Sequence, residues 1–214
     1  MSRTFDNLLG GGTAFIDGTM SAGFSYPFTV NFWFYPTYGV GVNTMVVLHN
    51  TSDDQAFRCN INASTVRVQF VANDGTIANA VSSASYTASA WNMFTGLATS
   101  TTNRSVYVNN GGIGSNSTSK NPTTPTAWGL GGSWAGGVAV PIYEGRLAEF
   151  AIWNDILTAD ERSSLYTGAK PSSIRPQNLK VYAPLVRDVY EMRETTTSIS
   201  VTDTTIDEHV RRYG

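Results

Sequence analysis

The sequence predicts an all-β domain with one short helix near residues 159–167. Residues 145–152 alternate in a period of two, the pattern of a strand that turns a bulky apolar face to a core. The tripeptide Asn73-Asp74-Gly75 is a strong hairpin-turn signal between two further strand-like segments. The strongest helix signals are Thr158 and Glu161 at capping-box spacing, followed by Gly168 where a left-handed C-terminal residue belongs.

The first half of the chain consists of predicted strands. Residues 28–35 are bulky on both faces, which favours a central strand covered on both sides, with Trp33 in the core. Residues 44–48, 55–61 and 65–72 predict a meander, and residues 77–81 return across the hairpin turn. Cys59, the single cysteine, is expected to be a small buried hydrophobe, which also excludes an intrachain disulfide.

The second half continues with a hairpin around residues 100–103, a short strand at 128–132 and a late strand at 179–185. Trp91 and Trp153 lie in strand patterns and are expected in the core. The segment 109–125 is long and rich in polar residues, which predicts a functional or partner-contacting loop. Residues 133–138 predict a Gly-rich turn that carries Trp134.

Composition limits the classes of function. The chain has 214 residues, 14% of them charged, a net charge of −2 and a pI of about 5.6. We therefore expect one domain over residues 1–185, a C-terminal extension or tail over 186–214, and neither nucleic acid nor membrane as a partner. The N-terminus lacks the apolar run of a signal peptide, which predicts synthesis in a cytoplasm.

Three windows resemble one family. Residues 150–168 resemble the C-terminal signature of the LamG-like branch of the concanavalin A-like jelly rolls, and residues 28–36 and 91–111 resemble its early core strand and its central hairpin. The resemblance implies a two-sheet antiparallel jelly-roll sandwich. It does not imply one function, because a fold hosts many kinds of site.

The family includes glycoside hydrolases, which need two facing carboxylates. Glu144 and Glu149 are five positions apart and are predicted on opposite faces of their strand, so they do not supply that pair. The adjacent pairs 53–54 and 160–161 suit a turn and a helix start, and neither His49 nor His209 has the context of a catalytic triad. We therefore predict no catalytic residue, and the protein is not expected to be an enzyme.

No cofactor or metal is predicted. The resemblance allows calcium, which several LamG-like domains bind, but no cluster of ligand residues in the sequence supports a calcium site. The candidate oxygens belong to residues that the sequence explains better as turn formers: Asp17, Asp74, Asn109 and Asn110.

The candidate binding residues are aromatic. Sugar-binding jelly rolls stack a pyranose on an exposed aromatic ring and hold its hydroxyls with Asn or Asp. Trp134 in its Gly-rich segment, with Tyr38 and Asn110, is predicted to form such a site, although an exposed aromatic also suits a protein interface. This pattern predicts the alternative function, a carbohydrate-binding, lectin-like module for attachment to a host or glycan surface; the main prediction comes from the C-terminal segment.

The C-terminal segment suggests a different class. Residues 182–194 and 204–214 resemble the C-termini of LamG-like proteins encoded among tailed-phage structural genes. This implies a virion accessory protein, in particular a capsid decoration or cement protein, which contacts viral structural proteins such as the major capsid protein and forms a homo-oligomer. The expected contact residues are Arg187, Tyr190, Arg193, Val210, Arg211, Arg212 and Tyr213. Alternatively, the tail folds back and adds strands to its own sandwich.

Overall fold

The chain forms seventeen described strands and one α-helix. The structure is a computed structural model, and it describes residues 2–7, 13–20, 22–37, 41–50, 55–135, 138–185 and 196–207. The elements are β1 (Ser2–Phe5), β2 (Phe15–Met20), β3 (Phe28–Pro36), β4 (Val42–His49), β5 (Gln55–Asn62), β6 (Arg67–Asn73), β7 (Ile77–Val81), β8 (Asn92–Ser100), β9 (Asn103–Val108), β10 (Gly111–Asn116), β11 (Ala127–Leu130), β12 (Gly132–Ala135), β13 (Val138–Pro141), β14 (Gly145–Trp153), α1 (Ala159–Tyr166), β15 (Leu179–Ala183), β16 (Thr196–Thr202) and β17 (Thr205–Asp207).

Two antiparallel sheets face each other, as the sequence predicts. Sheet A has the strand order β10-β9-β8-β3-β14-β1-β17, with β15 also paired to β14. Sheet B has the order β16-β2-β11-β4-β5-β6-β7, and β12 and β13 form a separate two-stranded ribbon. Because many neighbours in space are distant in sequence, the fold depends on long-range pairing, as in other jelly rolls.

The main core lies between the two sheets. Alternate residues of β3 point into it, and each is fully buried: Phe28, Val30, Phe32 and Phe34. Their rings make aromatic contacts across the sandwich, including an edge-on contact of Phe28 with Phe57 of β5, with ring centroids 4.8 Å apart. Cys59 is fully buried in the same core, as predicted.

A second, smaller core lies on the outer face of sheet A under α1. Trp153 and Leu165 are buried there, and the Trp153 indole donates a hydrogen bond to the Ile174 carbonyl at 2.7 Å. Thr158 and Glu161 form the predicted capping box, since each side chain accepts a hydrogen bond from the other residue's backbone amide. The helix is therefore both capped and anchored by its apolar residues.

Two of the three tryptophans expected in the core lie at its margin. Trp33 is partly buried and stacks on Tyr166 of α1 at 6.0 Å, and Trp91 is partly buried against Tyr35. Both lie on the outer face of sheet A, which the short helix covers only in part. Trp153 is fully buried as expected.

The predicted alternation along β14 breaks at Glu149. A bulge lies between Ala148 and Ala151, and Glu149 has a φ of +54°. Since a bulge adds one residue to a strand, the inward face shifts from Leu147 to Phe150. Glu144 precedes the strand, so the two glutamates do not share a regular strand at all.

The polar segment 109–125 is not one open loop. It contains β10, and its second part is held by two buried cations. Lys120 forms an ion pair with Asp74 at 2.9 Å, and Arg104 donates to the carbonyl of Thr118 at 2.5 Å. These contacts fix the segment against β9 of sheet A and the β6–β7 turn of sheet B.

Residues 196–207 are the described part of the predicted tail. They form β16, which pairs with β2, and β17, which pairs with β1. For these residues the structure agrees with the alternative in which the tail adds strands to its own sandwich. All seven residues predicted to contact a partner lie outside the described residues, and their role stays a prediction.

Candidate functional site

The outer face of sheet B carries a row of residues that runs across all seven strands. Cross-strand pairing places these residues side by side: Ser200, Asp17, Gly129, Val47, Arg58, Val71 and Asn79. They alternate with core residues along each strand, as Arg58 does with Phe57 and Cys59, so the row points away from the main core. Val47 and Val71 are nevertheless buried.

A second polar row lies beside the first. Asn60 of β5 pairs with Thr44 of β4 and with Gln69 of β6. All three are buried, with exposures of 3%, 3% and 8%. Burial of amides and a hydroxyl on an outward face is unusual for a sheet, because such groups keep their hydrogen bonds most easily in water.

Three buried atoms on this face have no hydrogen-bond partner within the described part of the chain. They are the Arg58 Nε, the Asn60 Oδ1 and the Asn79 Oδ1. Most buried polar atoms in folded proteins are paired, so three such atoms on one face of a sheet are unusual. Burial without a partner also lowers the pKa of Arg58 from its usual value.

The part of the first row on β2 and β11 differs in chemistry from the part on β5 to β7. Phe15 lies across Gly129, where a Cβ would come within 2.3 Å of the Phe15 ring, so only glycine leaves room for that ring. Asp17 pairs with Gly129, and burial raises the pKa of its carboxyl. This face therefore combines an acid at one side with an arginine and amides at the other.

The β12–β13 ribbon brings Trp134 toward this region. The Gly131 amide donates to the Met45 carbonyl, so the ribbon begins beside the first half of β4, and β12 contacts both β4 and β5. The Trp134 backbone lies on β12 paired with Ala139, while its side chain lies outside the described part of the chain. Residues 133–138 thus include a paired ribbon in place of the predicted simple turn.

The other two predicted binding residues do not complete this site. Tyr38 lies outside the described residues. Asn110 has a φ of +59° in the turn between β9 and β10, next to the Gly112 carbonyl that accepts a hydrogen bond from the Ser83 amide. That places Asn110 at the β7 edge, two strands or about 10 Å beyond β5.

Carboxylates are scarce on this face. Asp17 is the one Asp or Glu on the described strands of sheet B. Glu149 lies on sheet A, buried, and its carboxylate accepts a hydrogen bond from the Tyr182 hydroxyl at 2.5 Å. The described residues contain no group of three His, Cys, Asp or Glu that could hold a metal ion.

None of the described helices has the length and apolarity that a membrane span requires.

Sequence reasoning missed Arg58, Asn60 and Gln69. One signal was available, because Arg58 and Asn60 are polar residues at alternate positions between the apolar Phe57, Cys59 and Ile61. That pattern gives the outward face of one strand. It does not predict which residues of β4, β6 and β7 lie beside them, since the sequence of one strand does not determine its register with the others.

Comparison with known proteins supports the fold. A family model described as the concanavalin A-like lectin/glucanases superfamily matches residues 5–161. Curated proteins give no significant sequence match.

Several solved structures have similar folds at low sequence identity. A heptameric SAP-like pentraxin from Limulus polyphemus has a TM-score of 0.66 at 11% identity, over 94% of this chain and 93% of that chain. A Bacteroides ovatus protein assigned a carbohydrate-binding role has a TM-score of 0.64 at 15% identity, over 97% of this chain and 60% of that chain. The CBM40 of Ruminococcus gnavus IT-sialidase, bound to α2,3-sialyllactose, has a TM-score of 0.55 at 15% identity, over 72% and 97%.

Proposed function

We propose that this chain, which belongs to the concanavalin A-like lectin/glucanase superfamily, is a non-enzymatic carbohydrate-binding module whose ligand occupies the outer face of sheet B. The observation that carries the proposal is the buried Oδ1 atom of Asn60, which lies between Thr44 and Gln69. Neither this atom nor the nearby Arg58 Nε has a hydrogen-bond partner in the described part of the chain.

The chemistry of this face suits sugar hydroxyls. A hydroxyl both donates and accepts, so it can pair with an amide oxygen such as that of Asn60 and with a donor such as the Arg58 guanidinium. A buried polar atom without a partner costs about 1–3 kcal/mol, and a ligand that supplies the partner recovers that energy. The sequence predicts that Trp134, whose backbone lies on the neighbouring ribbon, stacks on a sugar ring.

The similar structures fit this proposal. The Bacteroides ovatus protein is assigned carbohydrate binding, and the Ruminococcus gnavus module is bound to an oligosaccharide. Both are under 25% identical to this chain, so they support the fold and the class of ligand but no residue.

The scarcity of carboxylates supports a role without catalysis. Retaining and inverting glycosidases both use two carboxyl groups on either side of the scissile bond. The described strands of sheet B supply only Asp17, and the Glu149 carboxylate is held by Tyr182 on the other sheet. The proposed module therefore binds a glycan and leaves it intact.

A glycan panel followed by calorimetry tests the proposal. Asn60→Ala is expected to weaken binding of a glycan identified on the panel about tenfold, as loss of one buried hydrogen bond predicts. Asn103→Ala is the matched control, because Asn103 is an exposed asparagine on sheet A. Absence of binding to every glycan, or equal binding by both variants, would contradict the proposal, and released sugar would contradict the non-enzymatic role.

A virion accessory role remains a second proposal. It rests on the resemblance of the C-terminal segment to proteins encoded among tailed-phage structural genes, with a capsid protein and further copies of this chain as partners. The two roles are compatible, since a decoration protein that binds glycans would attach a particle to a host surface.

A further inference from the structure

We infer that Arg58 makes the outer face of sheet B selective for an acidic glycan, one whose sugar carries a carboxylate. The inference rests on the proposed function and names the ligand class of the same site. It is carried by Arg58, whose buried Nε has no hydrogen-bond partner within the described residues.

Arg58 differs from the other arginines of the described part of the chain. Each of the other six has a hydrogen bond, an ion pair or an aromatic ring contact: Arg3, Arg67, Arg104, Arg146, Arg162 and Arg175. Arg58 has none of these, and its Nε is buried without an acceptor. A partly buried guanidinium without a partner is costly, since a charge in a poorly solvated place needs a compensating charge.

The neighbours of Arg58 on sheet B are apolar, and the acid in its row is distant. Val47 and Val71 flank it on the neighbouring strands, and both are buried, so apolar side chains line its stem. Asp17 lies in the same row, but three strand spacings away, which is about 14 Å. That separation is far too long for an ion pair, so the described strands of sheet B provide no counter-charge.

A carboxylate on a sugar meets this requirement. Guanidinium groups bind carboxylates through two parallel hydrogen bonds, which fix orientation as well as supply energy. The amide of Asn60 lies two residues along the same strand, about 7 Å away, and Asn79 lies two strands away, about 10 Å. A short oligosaccharide can therefore place its carboxylate on Arg58 and its hydroxyls on the two asparagines.

Calorimetry with paired ligands tests this inference. The probes are α2,3-sialyllactose and a glucuronate-containing oligosaccharide, each beside its neutral carboxamide derivative. We expect wild-type protein to bind at least one acidic probe about tenfold or more tightly than its carboxamide, as expected for a charge-assisted hydrogen bond. The probe that binds identifies the source of the carboxylate as a sialic acid or a uronic acid.

Variants assign the preference to the residue. Arg58→Gln is expected to remove the preference, so that the acidic probe binds no more tightly than its carboxamide, while Arg58→Lys retains part of the preference. Arg67→Gln is the matched control, because it removes the same charge from the neighbouring strand, where Arg67 already donates to the Ser83 carbonyl. Thermal unfolding of each variant checks that the fold is intact.

The outcomes separate this inference from the proposed function. Equal binding of acid and carboxamide, with a loss on Asn60→Ala, would overturn the role of Arg58 and leave the proposed function standing. A preference that survives Arg58→Gln, or binding of sulfated sugars alone, would also overturn it. Absence of binding to any glycan would overturn both.

Discussion

At the scale of single residues, Asp74 gives the chain a pH-dependent contact. This exposed carboxylate accepts hydrogen bonds from the Lys120 ammonium at 2.9 Å and from the Asn121 amide at 3.2 Å. Those bonds, with the Lys120 side chain as the largest cause, lower the pKa of Asp74 to about 2 from a usual value of 3.8. The ionised form is therefore favoured in the folded state.

The sign of the pH effect follows from linkage. A carboxyl with a lower pKa in the folded state contributes stability that is fully present above its unfolded value and is lost as the pH falls through its folded value. We expect the urea midpoint of the wild-type protein to fall between about pH 4 and pH 2, in part through Asp74. Asp74→Asn should flatten this fall, and Lys120→Met should flatten it similarly. An unchanged pH profile in Asp74→Asn would refute the assignment.

The sequence predicted the burial of some side chains correctly and that of others incorrectly. Cys59 and Trp153 are apolar residues in apolar strand patterns, and both are buried as predicted. Trp33 has the same kind of pattern but only partial burial, because the cover over the outer face of sheet A is one short helix. The alternation of β5 placed Arg58 on the outward face, but its partial burial was not predictable, since an arginine in a strand is ordinarily solvated.

At the scale of elements, β10 closes the sandwich against β7. A Cβ built on Gly114 would lie 1.7 Å from the Val81 carbonyl oxygen, which belongs to the backbone and cannot move aside cheaply. Gly111 begins the same strand, and its Cβ would meet nothing nearer than 4.0 Å. The two glycines of one strand thus have opposite surroundings.

Alanine at these two positions tests the closure. Gly114→Ala should lower the free energy of unfolding by about 3 kcal/mol, at the upper end of the range for overpacking, because β10 must separate from β7. Gly111→Ala should change it by about 0.5 kcal/mol or less. Chemical denaturation of both variants measures the difference, and equal costs would mean that β10 does not pack on β7 as described.

Elements with strong local signals were predicted from the sequence, and those made by long-range pairing were not. The helix, the hairpin at Gly75 and the strands β3, β8 and β9 carry caps, turn residues or apolar alternation. By contrast, β10 has the sequence GGIGSN, with little intrinsic preference for a strand, and exists because β9 and β7 lie beside it. The bulge in β14 is likewise set by its neighbours.

At the scale of the whole molecule, the fold class was predictable and the site was not. Three sequence windows indicated a two-sheet jelly roll, and the sheets have that arrangement. The candidate site consists of residues from separate strands, brought into line by register. A shift of one residue in β5 would turn Arg58 and Asn60 into the core, and a shift in β4 or β6 would change their neighbours, so only the assembled sheet defines the site.

The C-terminal segment has one part that pairs with strands of the sandwich and another part that is proposed to contact a partner. Residues 196–207 add β16 to sheet B and β17 to sheet A, and Ile199 packs against the main core. The predicted partner residues Val210, Arg211, Arg212 and Tyr213 follow β17 directly. Two truncations therefore separate a structural part from a proposed contact part.

Truncation after Asp207 should leave the free energy of unfolding nearly unchanged, because both edge strands remain, but should abolish incorporation into particles or oligomers if the last residues bind a partner. Truncation after Leu185 should cost about 2–4 kcal/mol, since it exposes the edges of β1 and β2 and uncovers core residues. Denaturation and sedimentation of both proteins provide the measurements. Full assembly by the protein truncated after Asp207 would refute the partner role of residues 208–214. Unchanged stability of the protein truncated after Leu185 would refute the strand addition.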